Sequence, residues 1–91
     1  MATAQLIEKQ ISDVLNQLDN LPAPVKKWEI DTGTDSTGEN AVWIWAIIED
    51  ASLAQLSQNA RARLRDRIRD AVRQVSPMLR AYIRFRAASE V

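Results

Sequence analysis

The sequence predicts an α+β fold: a two-layer sandwich in the order α-β-β-α-β, with two helices packed on one face of a three-stranded mixed sheet. Three observations predict it. Two stretches repeat apolar residues at helical steps, three read as strands, and prolines or polar turns separate them. With 91 residues the chain is expected to form a single domain, residues 1–91.

The first helix rests on Leu6, Ile7, Ile11, Val14, Leu15 and Leu18, which recur at three- and four-residue steps between Glu8, Lys9, Asp13 and Asn16. Thr3 offers an N-cap, and Leu21-Pro22-Ala23-Pro24 ends the helix, because proline lacks the donor and disfavours helix before it. Residues 27–32 then alternate Trp28, Ile30 and Thr32 against Glu29 and Asp31, the period of a half-buried strand. Asp31 to Asn40 is a polar, turn-rich loop that holds both glycines, Gly33 and Gly38. Ala41 to Glu49 is β-branched and aromatic without polar alternation, the pattern of a central strand covered on both faces.

A second helix follows. Ser52 with Gln55 three residues later makes a capping-box pattern, with Asp50 as a competing cap. Leu53, Leu56, Ala60, Leu64, Ile68, Ala71, Val72 and Val75 trace its apolar stripe until Ser76-Pro77. Met78 to Arg86 alternates once more, with Leu79, Ala81, Ile83 and Phe85 on one side and Arg80, Tyr82, Arg84 and Arg86 on the other. The last five residues read as a frayed end. With the all-apolar strand in the centre, the last strand runs parallel to it and is reached by a crossover through the second helix.

Composition narrows the chemistry. Apolar residues at 46% and charged residues at 26% fit a globular chain and exclude a disordered one. There is no cysteine, hence no disulfide, thiolate nucleophile or zinc–thiolate site. There is no histidine, which removes the usual general base near neutral pH and the commonest metal ligand. No Ser–Lys motif stands out, and the chain is short for a deep pocket beside a core. A non-enzymatic protein without metal or cofactor is the expectation. The amino terminus lacks a basic and an apolar region, and the longest apolar run, Ala41 to Ile48, falls far short of the roughly 20 residues that span a bilayer. A cytoplasmic protein with no membrane partner is expected.

A net charge of zero hides segregation. Residues 1–52 hold nine acids against three lysines, a balance of −6, while residues 53–91 hold nine arginines against three acids, a balance of +6. Such asymmetry gives a dipolar surface or internal pairing between elements. If the outer strands share a sheet, Glu29 and Asp31 stand to neutralise Arg80, Arg84 and Arg86.

Three groups of residues are candidates for function. Asp31-Thr32-Gly33 after an apolar strand resembles the catalytic loop of retroviral-type aspartic proteases, which pair two such loops across a dimer. That family is all-β and needs a glycine-rich flap, whereas this chain has two glycines and two helical stretches, so the segment reads as a hairpin loop. It also lacks the basic residues of a phosphate cradle and the spacing of a calcium loop.

The second group is an arginine row, Arg61, Arg65, Arg69 and Arg73, at four-residue spacing beside the apolar stripe. Arg63 and Arg67 lie on the opposite flank, with Asp66 and Asp70 in reach of the arginines three residues away. Such a row suits the phosphates of a nucleic acid, or is a solvated face whose stems cover apolar neighbours.

The third group is the sheet face away from the helices. It carries Arg80, Tyr82, Arg84 and Arg86, with either Trp43, Trp45 and Ile47 or Val42, Ile44, Ala46 and Ile48 beside them. Tryptophan, tyrosine and arginine are enriched at binding hot spots, and a large exposed apolar patch marks an interface.

The function expected is therefore a small protein–protein interaction module, an adaptor or antitoxin-like partner-binding protein or a homo-oligomer, contacting its partner through Trp43, Trp45, Tyr82, Arg80, Arg84 and Arg86. The alternative is a nucleic-acid-binding protein that uses Arg61, Arg65, Arg69 and Arg73 with the aromatic sheet face. The α-β-β-α-β order is similar to the type II KH-like arrangement of small ribosome-associated factors, and that likeness implies RNA binding. The Gly-x-x-Gly clamp of KH domains is absent.

Overall fold

In a computed structural model that describes residues 4–91, the elements are α1 (Ala4–Asn16), β1 (Lys27–Thr34), β2 (Asn40–Ile48), α2 (Asp50–Ala54), α3 (Gln58–Val75), β3 (Arg80–Ala87) and a closing 3-10 turn (Ala88–Glu90). The sheet order is β1-β2-β3, with β1 antiparallel and β3 parallel to the central β2. This is the expected α+β sandwich with a mixed sheet. Thr3, the expected cap of the first helix, lies outside the described residues.

β2 organises the packing. Val42, Ile44, Ala46 and Ile48 face the helices and are at most 1% exposed. They meet Ile11 and Leu15 of α1 and Leu64, Ile68, Ala71 and Val72 of α3 in one core. In register, Trp28, Ile30 and Thr32 of β1 and Ala81, Ile83, Phe85 and Ala87 of β3 point to the same side. Thr32 donates its hydroxyl to Glu8 at 3.1 Å, tying β1 to α1. Across the layer, Arg67 donates to the Asp19 carbonyl at 3.0 Å, tying α3 to the segment after α1.

Where one continuous second helix was expected, there are two. α2 ends at Ala54, and α3 begins again after Ser57. The reason is chemical: Ser57 is an N-cap in extended conformation whose hydroxyl accepts from the Ala60 amide at 3.1 Å, so it starts a new helix. The expected capping residue, Ser52, sits inside α2, and neither it nor Asp50 caps that helix. Arg61 reaches back over the break, donating to the carbonyls of Leu56 at 3.2 Å and Leu53 at 3.1 Å. The Leu56 carbonyl lies at the broken helix end, where backbone acceptors lose their helical donors, and the Leu53 carbonyl also accepts from the Leu56 amide at 3.2 Å.

The carboxy terminus is likewise held. The Asp50 carboxylate accepts from the amide and the hydroxyl of Ser89, where fraying was expected. Among the described residues no helix is long and apolar enough to cross a membrane.

Losing the Ser57 cap is expected to cost about 1 kcal/mol, so Ser57→Ala lowers the urea midpoint. Ser52→Ala should stay within about 0.5 kcal/mol of wild type. Equal losses would show that the helix break is not where the cap places it.

Candidate binding groove along the β3 edge

The open face of the sheet is resolved by register. Trp43, Trp45 and Ile47 of β2 lie there, not the alternative set of Val42, Ile44, Ala46 and Ile48. Two cross-strand rows define it: Asp31–Trp43–Tyr82 and Glu29–Trp45–Arg84. A third row, Lys27–Ile47–Arg86, closes one end, and Gly33–Ala41–Arg80 the other. Both tryptophans are half-buried, and Ile47 and Ala41 are buried although they belong to this face.

The aromatics are fixed by one another. The rings of Trp43 and Tyr82 stack with centroids 5.7 Å apart and planes 16° from parallel. The Arg86 guanidinium lies over the Trp45 ring at 4.1 Å from its centroid. Gly33 leaves room for Trp43: a Cβ at that position would meet the indole at 3.3 Å.

Asp35 anchors the ridge from outside it. It closes the turn between β1 and β2, one oxygen accepting from the Thr37 amide at 2.9 Å, the Thr37 hydroxyl at 2.6 Å and the Glu39 amide at 3.1 Å. Its other oxygen accepts from the Tyr82 hydroxyl at 2.9 Å. The Thr37 hydroxyl, with Tyr82 and the turn amides behind it, holds the Asp35 carboxyl down from 3.8 to about 2. By its residue types this loop reads as local turn chemistry. Nothing in the local pattern discloses that an Asx turn also holds a tyrosine of the last strand.

The expected charge pairing across the sheet is overturned. Glu29 and Asp31 do not neutralise Arg80, Arg84 or Arg86. β1 and β3 are opposite edges with β2 between them, so these groups stand two strand spacings apart, roughly 10 Å. The salt bridges among the described residues are Lys9–Asp13, Lys26–Glu49, Arg69–Asp66 and Arg73–Asp70. The open face is thus graded, from carboxylates on the β1 edge, over a tryptophan ridge, to arginines on the β3 edge.

The two arginine sets, separate in the sequence, meet at that edge. A shallow depression of about 400 Å³ is lined by Trp43, Trp45, Tyr82 and Arg84 from the open face and by Arg61 and Arg65 from α3, with Ile83 and Phe85 on its floor. A second, of about 350 Å³, lies between Arg69 and Arg73 of α3 and Arg80 to Tyr82 of β3. They share Tyr82 and follow the outer edge of β3. Arg65 lies over the Phe85 ring at 5.1 Å from its centroid. Arg69 and Arg73 hold Asp66 and Asp70 loosely, at 3.7 and 3.8 Å on exposed side chains, pairs of small energetic weight. The tripeptide Asp31-Thr32-Gly33, expected in the hairpin loop, instead pairs with β2 inside β1, which runs to Thr34 and leaves residues 35–39 as the turn; Asp31 is an exposed side chain there, apart from this groove.

The depressed Asp35 value sets a pH window. Its folded value lies below the ordinary one, so its stabilising contribution is complete above 3.8 and is lost as pH falls towards about 2. The Asp35 carboxyl followed by NMR is expected to titrate near 2, and Thr37→Val should raise its midpoint more than Tyr82→Phe does. A midpoint unmoved by either substitution contradicts the anchor. Compared with known proteins, the chain matches no family model, no curated protein and no solved structure.

Proposed function

We propose that this chain is a non-enzymatic protein-binding module whose contact surface is the open sheet face around Trp43, Trp45, Tyr82, Arg80, Arg84 and Arg86. One observation carries the reading: a half-buried ridge of large aromatic side chains, already locked by stacking, bordered by arginines on the β3 side. Side chains held in place before contact lose little conformational freedom on binding. Aromatic anchors inside a polar, arginine-bearing rim are the composition of an interface centre.

The nucleic-acid reading draws its support from the α3 row of Arg61, Arg65, Arg69 and Arg73. Two features weigh against it. Base stacking needs free aromatic faces, yet Trp43 and Tyr82 occupy one face of each other, and the Arg86 guanidinium occupies one of Trp45. The loop between α2 and α3, residues 55–57, holds no glycine where a KH-type clamp would need two.

Tagged wild-type protein from nuclease-treated source cells is expected to retain a protein partner. Trp45→Ala and Arg84→Glu should lose it, whereas Arg63→Glu, outside the groove lining, should keep it. Solution mass across concentration shows whether that partner is a second copy. Retention indifferent to the two groove substitutions, or abolished by nuclease, contradicts the reading.

A further inference from the structure

We infer that an acidic, extended segment of a partner protein adds to the outer edge of β3 as a fourth strand, held between the arginines of α3 and those of the open face. The inference rests on the protein-binding reading above and names the chemistry of the partner.

β3 is an edge strand, and the backbone hydrogen bonds outside the helices and sheet ladders include none from residues 80–87. Its outward amides and carbonyls are a template for another strand. The edge is also not fully covered on the helix side. Ala81, Ile83 and Phe85 point towards α3 yet remain half-buried, whereas the equivalent residues of β2 are fully buried. The two depressions lie along this gap and follow the strand from Leu79 to Phe85.

Charge selects the occupant. Side chains of an added strand alternate between the two faces. On one face they meet Arg61, Arg65, Arg69 and Arg73, and on the other Arg80, Arg84 and Arg86. Arg61, Arg65, Arg80, Arg84 and Arg86 form no salt bridge with any described residue. Carboxylates are therefore matched at both alternations, and the planar guanidinium suits them bidentately. Apolar residues interspersed among them find Ile83 and Phe85 on the floor.

A second copy fits less well. Two β3 edges would bring like charges together. β1 of another copy offers Glu29 and Asp31 on one face but Trp28 and Ile30 on the other, and that head-to-tail contact would propagate into an open filament. A nucleic acid lacks the alternating amide donors and acceptors that an edge strand pairs with.

The test uses the full chain and a fluorescent synthetic peptide as long as β3, in which adjacent Glu pairs, one carboxylate on each face, are separated by Thr and Val. Four controls accompany it: the same peptide with Lys for Glu, one N-methylated at alternate amides in each of the two registers, and a single-stranded RNA of equal charge. Binding is read by anisotropy, and the site by amide hydrogen exchange. The acidic peptide should bind and slow exchange at alternate residues of β3. Arg65→Glu and Arg84→Glu should each weaken it by about tenfold or more. The Lys peptide and one of the two methylated registers should fail.

Any of these results overturns the inference: equal binding by both methylated registers, RNA binding that protects the same amides, or self-assembly into filaments that Glu29→Arg abolishes. If the acidic peptide does not bind while partner capture still depends on Trp45 and Arg84, this inference fails and the protein-binding reading stands. If capture is also indifferent to them, both fail.

Discussion

The rest of this structure depends on the burial of β2 on both of its faces. A strand with Val42, Ile44, Ala46 and Ile48 on one side and Trp43, Trp45 and Ile47 on the other has no face to give to water. One side is closed by α1 and α3. The other is closed only in part, by stacking and by arginine stems. Parallel pairing of β3 to β2 then forces a crossover, because two parallel strands cannot be joined by a tight turn. α2 and α3 are that crossover. Since α3 leads directly into β3, its arginine row is delivered to the edge that β3 leaves open. The groove is thus a consequence of topology acting on a charge pattern.

The same topology explains why a chain of zero net charge has a strongly polarised surface. Carboxylates and arginines of the sheet are held on opposite edges by the intervening strand, too far apart to form direct pairs. Four salt bridges among the described residues, all on exposed side chains, do little to offset the separation. An exposed row of cations on an edge strand also discourages pairing between like copies. One feature thereby guards against aggregation and favours an acidic strand.

Much of this was legible in the sequence, for identifiable reasons. The period-2 run of residues 79–86 and the unbroken apolar run of residues 41–48 state their burial directly, so strand order and the parallel pairing followed. The candidate residues on β3 fell on the open face because alternation admits only two choices. What could not be read depended on partners distant in the chain. Ser57 as a helix start was hidden by a competing capping pattern at Ser52, and the apolar stripe runs through the break without interruption. Asp35 was visible as a turn residue, but its bond to Tyr82 spans a separation that no local rule covers. The charge pairing expected between outer strands failed because sharing a sheet is not the same as being neighbours in it. The union of the two arginine sets needed the relative placement of α3 and β3, which only the packed core fixes.

Amide hydrogen exchange on the free protein tests the central claim most directly. If β2 is buried between two pairing partners and β3 is an open edge, amides across residues 42–48 are uniformly slow while those across residues 81–86 alternate between slow and fast. Uniform protection along β3, or fast exchange at alternate residues of β2, would contradict the account.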